Sequence, residues 1–156
     1  MINEEWMTRP VHAAKPRDSI AYARELLERY RINQLPVVVE GRVVGIVSDR
    51  DLRDAFPSVL EALVPPRRRT RKPGLDPKDI AVEDVMTSNV LTLAPGDTVD
   101  EAARLMRRER IGAVPIVERG ALVGIVTRSD VLEAYSELYE RLRGAAVPKP
   151  ASGEAP

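Results

Sequence analysis

The sequence has no cysteine. Disulfide staples, thiolate nucleophiles and cysteine-ligated metals are therefore all excluded. There is one histidine, His12. With no cysteine and no clustered carboxylates around it in the chain, it makes neither a metal site nor a triad, and it reads as a solvent-exposed strand residue, the alternative being a place at a cleft mouth beside Ala13. Aromatic residues are only 4% of the chain, so the core has to come from Val, Ile, Leu and Ala. Net charge is missing as well, because 24 Lys and Arg balance 24 Asp and Glu. That leaves no overall attraction to nucleic acid or to a membrane surface. No apolar run approaches the ~20 residues that cross a bilayer as a helix. The opening stretch MINEEWMTRP carries acids and no apolar segment, unlike a secretory signal. The expected compartment is the cytoplasm. Nucleophile–base pairs and Walker-type glycine loops are not found either, which argues against an enzyme.

What the 156 residues do contain is a repeat. Met7-Thr8 recurs 79 positions later as Met86-Thr87, and the same offset carries Pro16 to Pro95, Asp18 to Asp97, Ile32 to Ile111, Pro36 to Pro115, Gly45 to Gly124 and Asp51 to Asp130. No gap is needed between Met7 and Asp51. Register held across so many Gly, Pro and Asp positions marks a tandem duplication.

Each copy reads as β-α-β-β-α. VHAA and VLTL are short extended segments, followed by turns. Asp18 and Asp97 are suited to cap the next helix, although Thr98 with Glu101 offers a capping box one residue later. Apolar residues at Ile20, Ala23, Leu26 and Leu27 recur as Val99, Ala102, Leu105 and Met106, at helical spacing. LPVVVE and RVVGIVS, joined at Gly41, read as a hairpin, as do VPIVER and ALVGIVT around Gly120. A second helix follows in each copy. Half a sheet with two helices on one face cannot bury itself, so the fold class expected is α/β, with two repeats packed sheet to sheet about a pseudo-two-fold axis.

The end of each hairpin, GIVSDRD and GIVTRSD, is open to two readings. In one, Ser48 and Thr127 cap the second helix, and Asp51 and Asp130 sit in its first turn, where an acid suits the helix dipole. In the other, the outward backbone N–H groups of the helix start favour a phosphate, the carboxylate holds two vicinal ribose hydroxyls, and Ile46 and Ile125 face a base. Arg50 and Arg128, in the first turn after the hydroxyl, are within reach of a phosphate.

Two copies of M-T, strand, helix, I-x-x-[LV]-P-[VI]-V, glycine turn and G-I-V-[ST]-x-x-D resemble a CBS-domain tandem, the Bateman module, from about Met7 to Leu138. The resemblance implies two clefts between the repeats that take AMP, ADP, ATP or S-adenosylmethionine. Each cleft draws its ribose-binding [ST]-x-x-D from one repeat and its base-facing strand from the other. By matching position, one cleft combines Thr127 and Asp130 with Thr8, Ala13 and Ile32. Its mate combines Ser48 and Asp51 with Thr87, Thr92 and Ile111. Asn33 and Gln34 are polar where the other copy has Gly112 and Ala113, and Asp49 adds negative charge beside Ser48. On those grounds the Thr127 cleft is expected to be the tighter for a phosphorylated ligand. The implied function is a ligand-sensing regulatory module acting on a separate target protein, with no cofactor. The alternative is a structural dimer without a physiological nucleotide.

The repeats are assigned to 1–56 and 81–143, with a basic flexible linker at 57–80 and a disordered tail at 144–156. RRRTRK, Arg67 to Lys72, reads as a solvated loop rather than a nucleic-acid contact, since no aromatics are interleaved with it. Val131, Leu132, Tyr135, Leu138, Tyr139 and Leu142 form a stripe longer than one repeat needs. The stripe either covers the module's own sheet or forms a subunit contact, and the resemblance favours a homodimer.

Overall fold

The computed structural model describes residues 1–55 and 76–146. The basic run and most of the linker and tail expected from the sequence lie outside the described residues. The first copy contains α1 (Asn3–Trp6), α2 (Ile20–Tyr30), β1 (Gln34–Val39), β2 (Arg42–Ser48) and α3 (Asp49–Ala55). The second contains α4 (Val99–Glu109), β3 (Ala113–Glu118), β4 (Ala121–Thr127) and α5 (Arg128–Ala146).

β1 pairs with β2 antiparallel and β3 with β4, in matching registers: Pro36 faces Ile46, and Pro115 faces Ile125. Each hairpin turns on two residues of positive φ, Glu40-Gly41 and Arg119-Gly120. That is the mirror-image turn whose twist matches paired strands, and it is why a glycine recurs there. The segments read as first strands are present as single parallel bridges, Ala14 to Val37 and Leu93 to Ile116. The parallel bridge sets each segment beside its two-stranded hairpin.

The Met-Thr segments cross over. Thr8 exchanges both backbone hydrogen bonds with Ile125 of the second copy (2.9 and 3.2 Å), and Thr87 does so with Ile46 of the first (2.9 and 3.0 Å). Their methionines follow. Met7 belongs to the core of Ala102, Met106, Val114, Ile116 and Val126. Met86 packs against the other core, built on Ile20, Leu27, Leu35, Val37, Val47 and Leu52. A side chain on Gly124 would run into the Met7 sulfur, and one on Gly45 into that of Met86. The recurrent glycine of GIV is therefore the hole into which the other copy's methionine fits. Sheet contact between β2 and β4 completes the two-fold packing.

One expectation about the helix starts is corrected. Ser19 and Thr98, not Asp18 and Asp97, are the caps, their side chains accepting from Tyr22 and Glu101 backbone N–H groups. Asp18 and Asp97 accept instead from the Lys15 and Ala94 N–H groups, each at 2.7 Å. An aspartate one residue before the cap is better placed to close the preceding turn than to reach forward into the helix.

Candidate functional site

β2 delivers Ser48 to the start of α3, and β4 delivers Thr127 to the start of α5. Ser48 Oγ accepts from the Asp51 N–H at 3.2 Å, while Asp51 Oδ2 accepts from the Ser48 N–H at 2.7 Å and from its hydroxyl at 2.6 Å. Thr127 and Asp130 repeat the pattern at 3.4, 2.6 and 2.7 Å. Both readings of the turn thus describe the same atoms. The reciprocal cap locks the carboxylate in place through Oδ2, and Oδ1 accepts no hydrogen bond from the described residues.

In the first copy that carboxylate faces a cavity of about 580 Å³. Ile46, Ser48, Asp49, Arg50, Asp51 and Arg53 form one wall; Thr87, Asn89, Val90, Leu91, and Glu109 to Ala113 form the other. Thr87 reaches the wall through its exchange with Ile46, and Arg110 is itself the left-handed residue that ends α4 (φ 57°). Asn33, Gln34 and Arg128 complete the lining. The Arg128 guanidinium donates to the Ile111 carbonyl at 3.1 Å, and its backbone N–H donates to the Gly112 carbonyl at 3.2 Å. Gln34 lies so close to Gly112 that a Cβ there would meet its amide at 2.7 Å.

Most residues expected for the Ser48 cleft therefore meet here: Ile46, Ser48, Arg50, Asp51, Thr87 and Ile111. Thr92 is exposed and does not line the cavity, because Asn89 to Leu91 pass along it before the chain turns inward to pair at Leu93. Asn33, Gln34 and Arg128 were expected to serve the Thr127 cleft. All three line the Ser48 cavity instead, since the starts of β1 and β3 meet near the pseudo-two-fold axis. That removes the Asn33 and Gln34 ground for ranking the Thr127 cleft first, while Asp49, the other ground, does line the Ser48 cavity. Arg53, Glu109 and Arg110 were not anticipated. Nothing in the repeated motif marks them, and only the end of an amphipathic helix opposite the turn would have pointed to Arg110.

On the other side of the axis, the Thr8 bridge to Ile125 and the Thr127–Asp130 cap bring those four residues together. Ile125 is buried, and Ala13 and Ile32 are each half-buried. His12, read from the sequence as solvent-exposed, is half-buried and stacked on Tyr30, with ring centroids 3.5 Å apart and planes 12° from parallel. The one-residue alternation of a strand is too short here to orient it, and an aromatic neighbour 18 positions along the chain does so.

The sequence profile of the CBS domain matches residues 4–58 and 82–137. The chain belongs to the CBS domain family. Its two repeats superpose on the CBS domain pair of protein MJ0100 in complex with 5'-methylthioadenosine and S-adenosyl-L-methionine, with a TM-score of 0.71 and 27% identity over 88% of this chain and 98% of that one. CBSX2 of Arabidopsis thaliana in complex with AMP gives a TM-score of 0.70 and 29% identity over 88% and 98%. The inosine-5'-monophosphate dehydrogenase of Korarchaeum cryptofilum is 33% identical over 152 residues. This CBS pair covers 92% of itself in that match but spans only 28% of the dehydrogenase. No described helix of the pair is long and apolar enough to cross a membrane.

Proposed function

We propose that this CBS pair is a regulatory sensor for an adenine nucleotide, AMP, ADP, ATP or S-adenosylmethionine, acting on a separate protein. The observation that carries the reading is the cavity in which Ser48 and Asp51 of one repeat face Thr87 and Ile111 of the other. Asp51 Oδ1 is available for ribose hydroxyls, Ile46 and Ile111 offer apolar surface for a base, and four arginines offer charge to a phosphate. Two solved relatives that carry AMP, or S-adenosylmethionine with methylthioadenosine, support the ligand class. A ligand that touches both repeats stabilises one relative arrangement of them, and this differential affinity is the only means by which occupancy becomes a signal.

Calorimetric titration of the four ligands into nucleotide-free protein tests the reading. At least one should bind, and Asp51→Ala should weaken it tenfold or more, since each charge-assisted hydrogen bond lost is worth about 1.5–3 kcal/mol. Binding that is indifferent to Asp51 would reduce that residue to a helix cap. No binding by any of the four would favour the interaction-dimer alternative.

A homodimer is part of the same proposal, through the exposed stripe Leu132, Tyr135, Tyr139 and Leu142 on α5.

A further inference from the structure

Four arginines and three acids line the Ser48 cavity, and most of these charges already have partners. Arg53 is ion-paired with Asp49 at 2.9 Å, and the Arg128 guanidinium donates to the Ile111 carbonyl. Asp51 is engaged in the cap of α3, and Glu109 pairs with Arg108 at 2.6 Å. Among the described residues, the guanidinium groups of Arg50 and Arg110 have neither a hydrogen bond nor an ion pair. They stand on opposite walls, one from each repeat.

Arg110 is also held in a conformation that does not suit it. It ends α4 in the left-handed region, at φ 57° and ψ 33°, where glycine fits without strain and a side chain does not. The helix end uses only its backbone, whose N–H donates to the Met106 carbonyl. A glycine would close α4 at lower cost, so the long cation finds its use in the cavity. Arg31 ends α2 in the same way but does not line this cavity.

From this charge accounting we infer that Arg50 and Arg110 form a two-sided anion clamp, and that Arg110 sets the ligand class of the Ser48 cavity. That class is a nucleoside bearing phosphate, in preference to S-adenosylmethionine or an unphosphorylated nucleoside. A phosphate gains charge-assisted hydrogen bonds from both repeats at once. S-adenosylmethionine carries net positive charge at neutral pH, and two unpaired guanidinium groups repel it. The inference rests on the nucleotide reading of the cavity and narrows it.

Calorimetry on the full chain tests it with AMP, adenosine and S-adenosylmethionine, each read on the binding that Asp51→Ala weakens. AMP should bind about tenfold or more tightly than adenosine, and more tightly than S-adenosylmethionine. Arg110→Gly should cut the ratio of AMP to adenosine affinity by about tenfold. The same change should raise the thermal midpoint of the nucleotide-free chain, because it relieves the left-handed strain. A wild-type ratio near one, S-adenosylmethionine bound more tightly than AMP, or a ratio that Arg110→Gly leaves intact would each overturn the inference. The absence of Asp51-dependent binding by any probe would overturn the nucleotide reading itself.

Discussion

Asn3 is fully buried at the start of α1, and its counterpart in the other copy is Val82, also fully buried. The two occupy equivalent places: the Asn3 N–H donates to the Asp97 carbonyl and the Val82 N–H to that of Asp18, each at 2.8 Å. Asn3 Nδ2 finds the Ala94 carbonyl at 3.3 Å, but Oδ1 has no partner among the described residues. A buried acceptor left unsatisfied costs about 1–3 kcal/mol, and the long Nδ2 contact offsets only part of that. Asn3→Val should therefore stabilise the chain by about 1 kcal/mol and raise its thermal midpoint by a few degrees. A lower midpoint would mean that Oδ1 has a partner, such as an ordered water, whose loss outweighs the gain.

Among the elements, α4 shows how a helix start is secured. Glu101 Oε2 accepts from the Thr98 N–H at 2.8 Å and from the Thr98 hydroxyl at 3.0 Å, while Thr98 Oγ1 accepts from the Glu101 N–H at 3.2 Å. Those bonds hold the Glu101 carboxyl below the usual glutamate range, the backbone bond being the larger cause. A carboxylate lowered on folding stabilises the fold above its unfolded value, and that contribution fades as pH falls through the folded value. Thr98→Ala should cost about 1 kcal/mol at neutral pH. The gap from wild type should narrow below the carboxylate range, where the wild type has lost the Glu101 charge as well. Denaturant melts at the two pH values check this, and a gap that widens in acid would exclude Glu101 as its source. The same helix shows what was legible beforehand. Its apolar spacing, the Thr98–Glu101 box and the glycine turns are local signals and could be read residue by residue. The crossing of Met7 and Met86 could not, because no local pattern says which glycine a methionine will fill. The site divides in the same way. Ser48, Asp51, Thr87 and Ile111 sit in the repeated motif, whereas Gln34, Arg110 and Arg128 reach the cavity through contacts across the pseudo-two-fold axis.

For the whole molecule, the unexplained surface is α5. Leu132 and Tyr135 are 67% and 64% exposed, and Tyr139 and Leu142 are exposed beside them. Their spacing of three, four and three residues reads the same in both directions and centres on Glu137. A second copy laid antiparallel about that point sets Leu132 against the partner's Leu142 and Tyr135 against the partner's Tyr139, a self-complementary contact of the kind a two-fold dimer requires. Glu137 itself is held away from the stripe by its ion pair with Arg141. Arg143 flanks the stripe, its guanidinium 5.8 Å from the centre of its own Tyr139 ring. Equilibrium sedimentation of the full chain should therefore find a dimer. Tyr135→Glu should dissociate it by placing a charge in the apolar seam, with the nucleotide clefts unaffected. A monomeric wild type would dismiss the dimer altogether. A dimer indifferent to Tyr135→Glu would place the interface on another face.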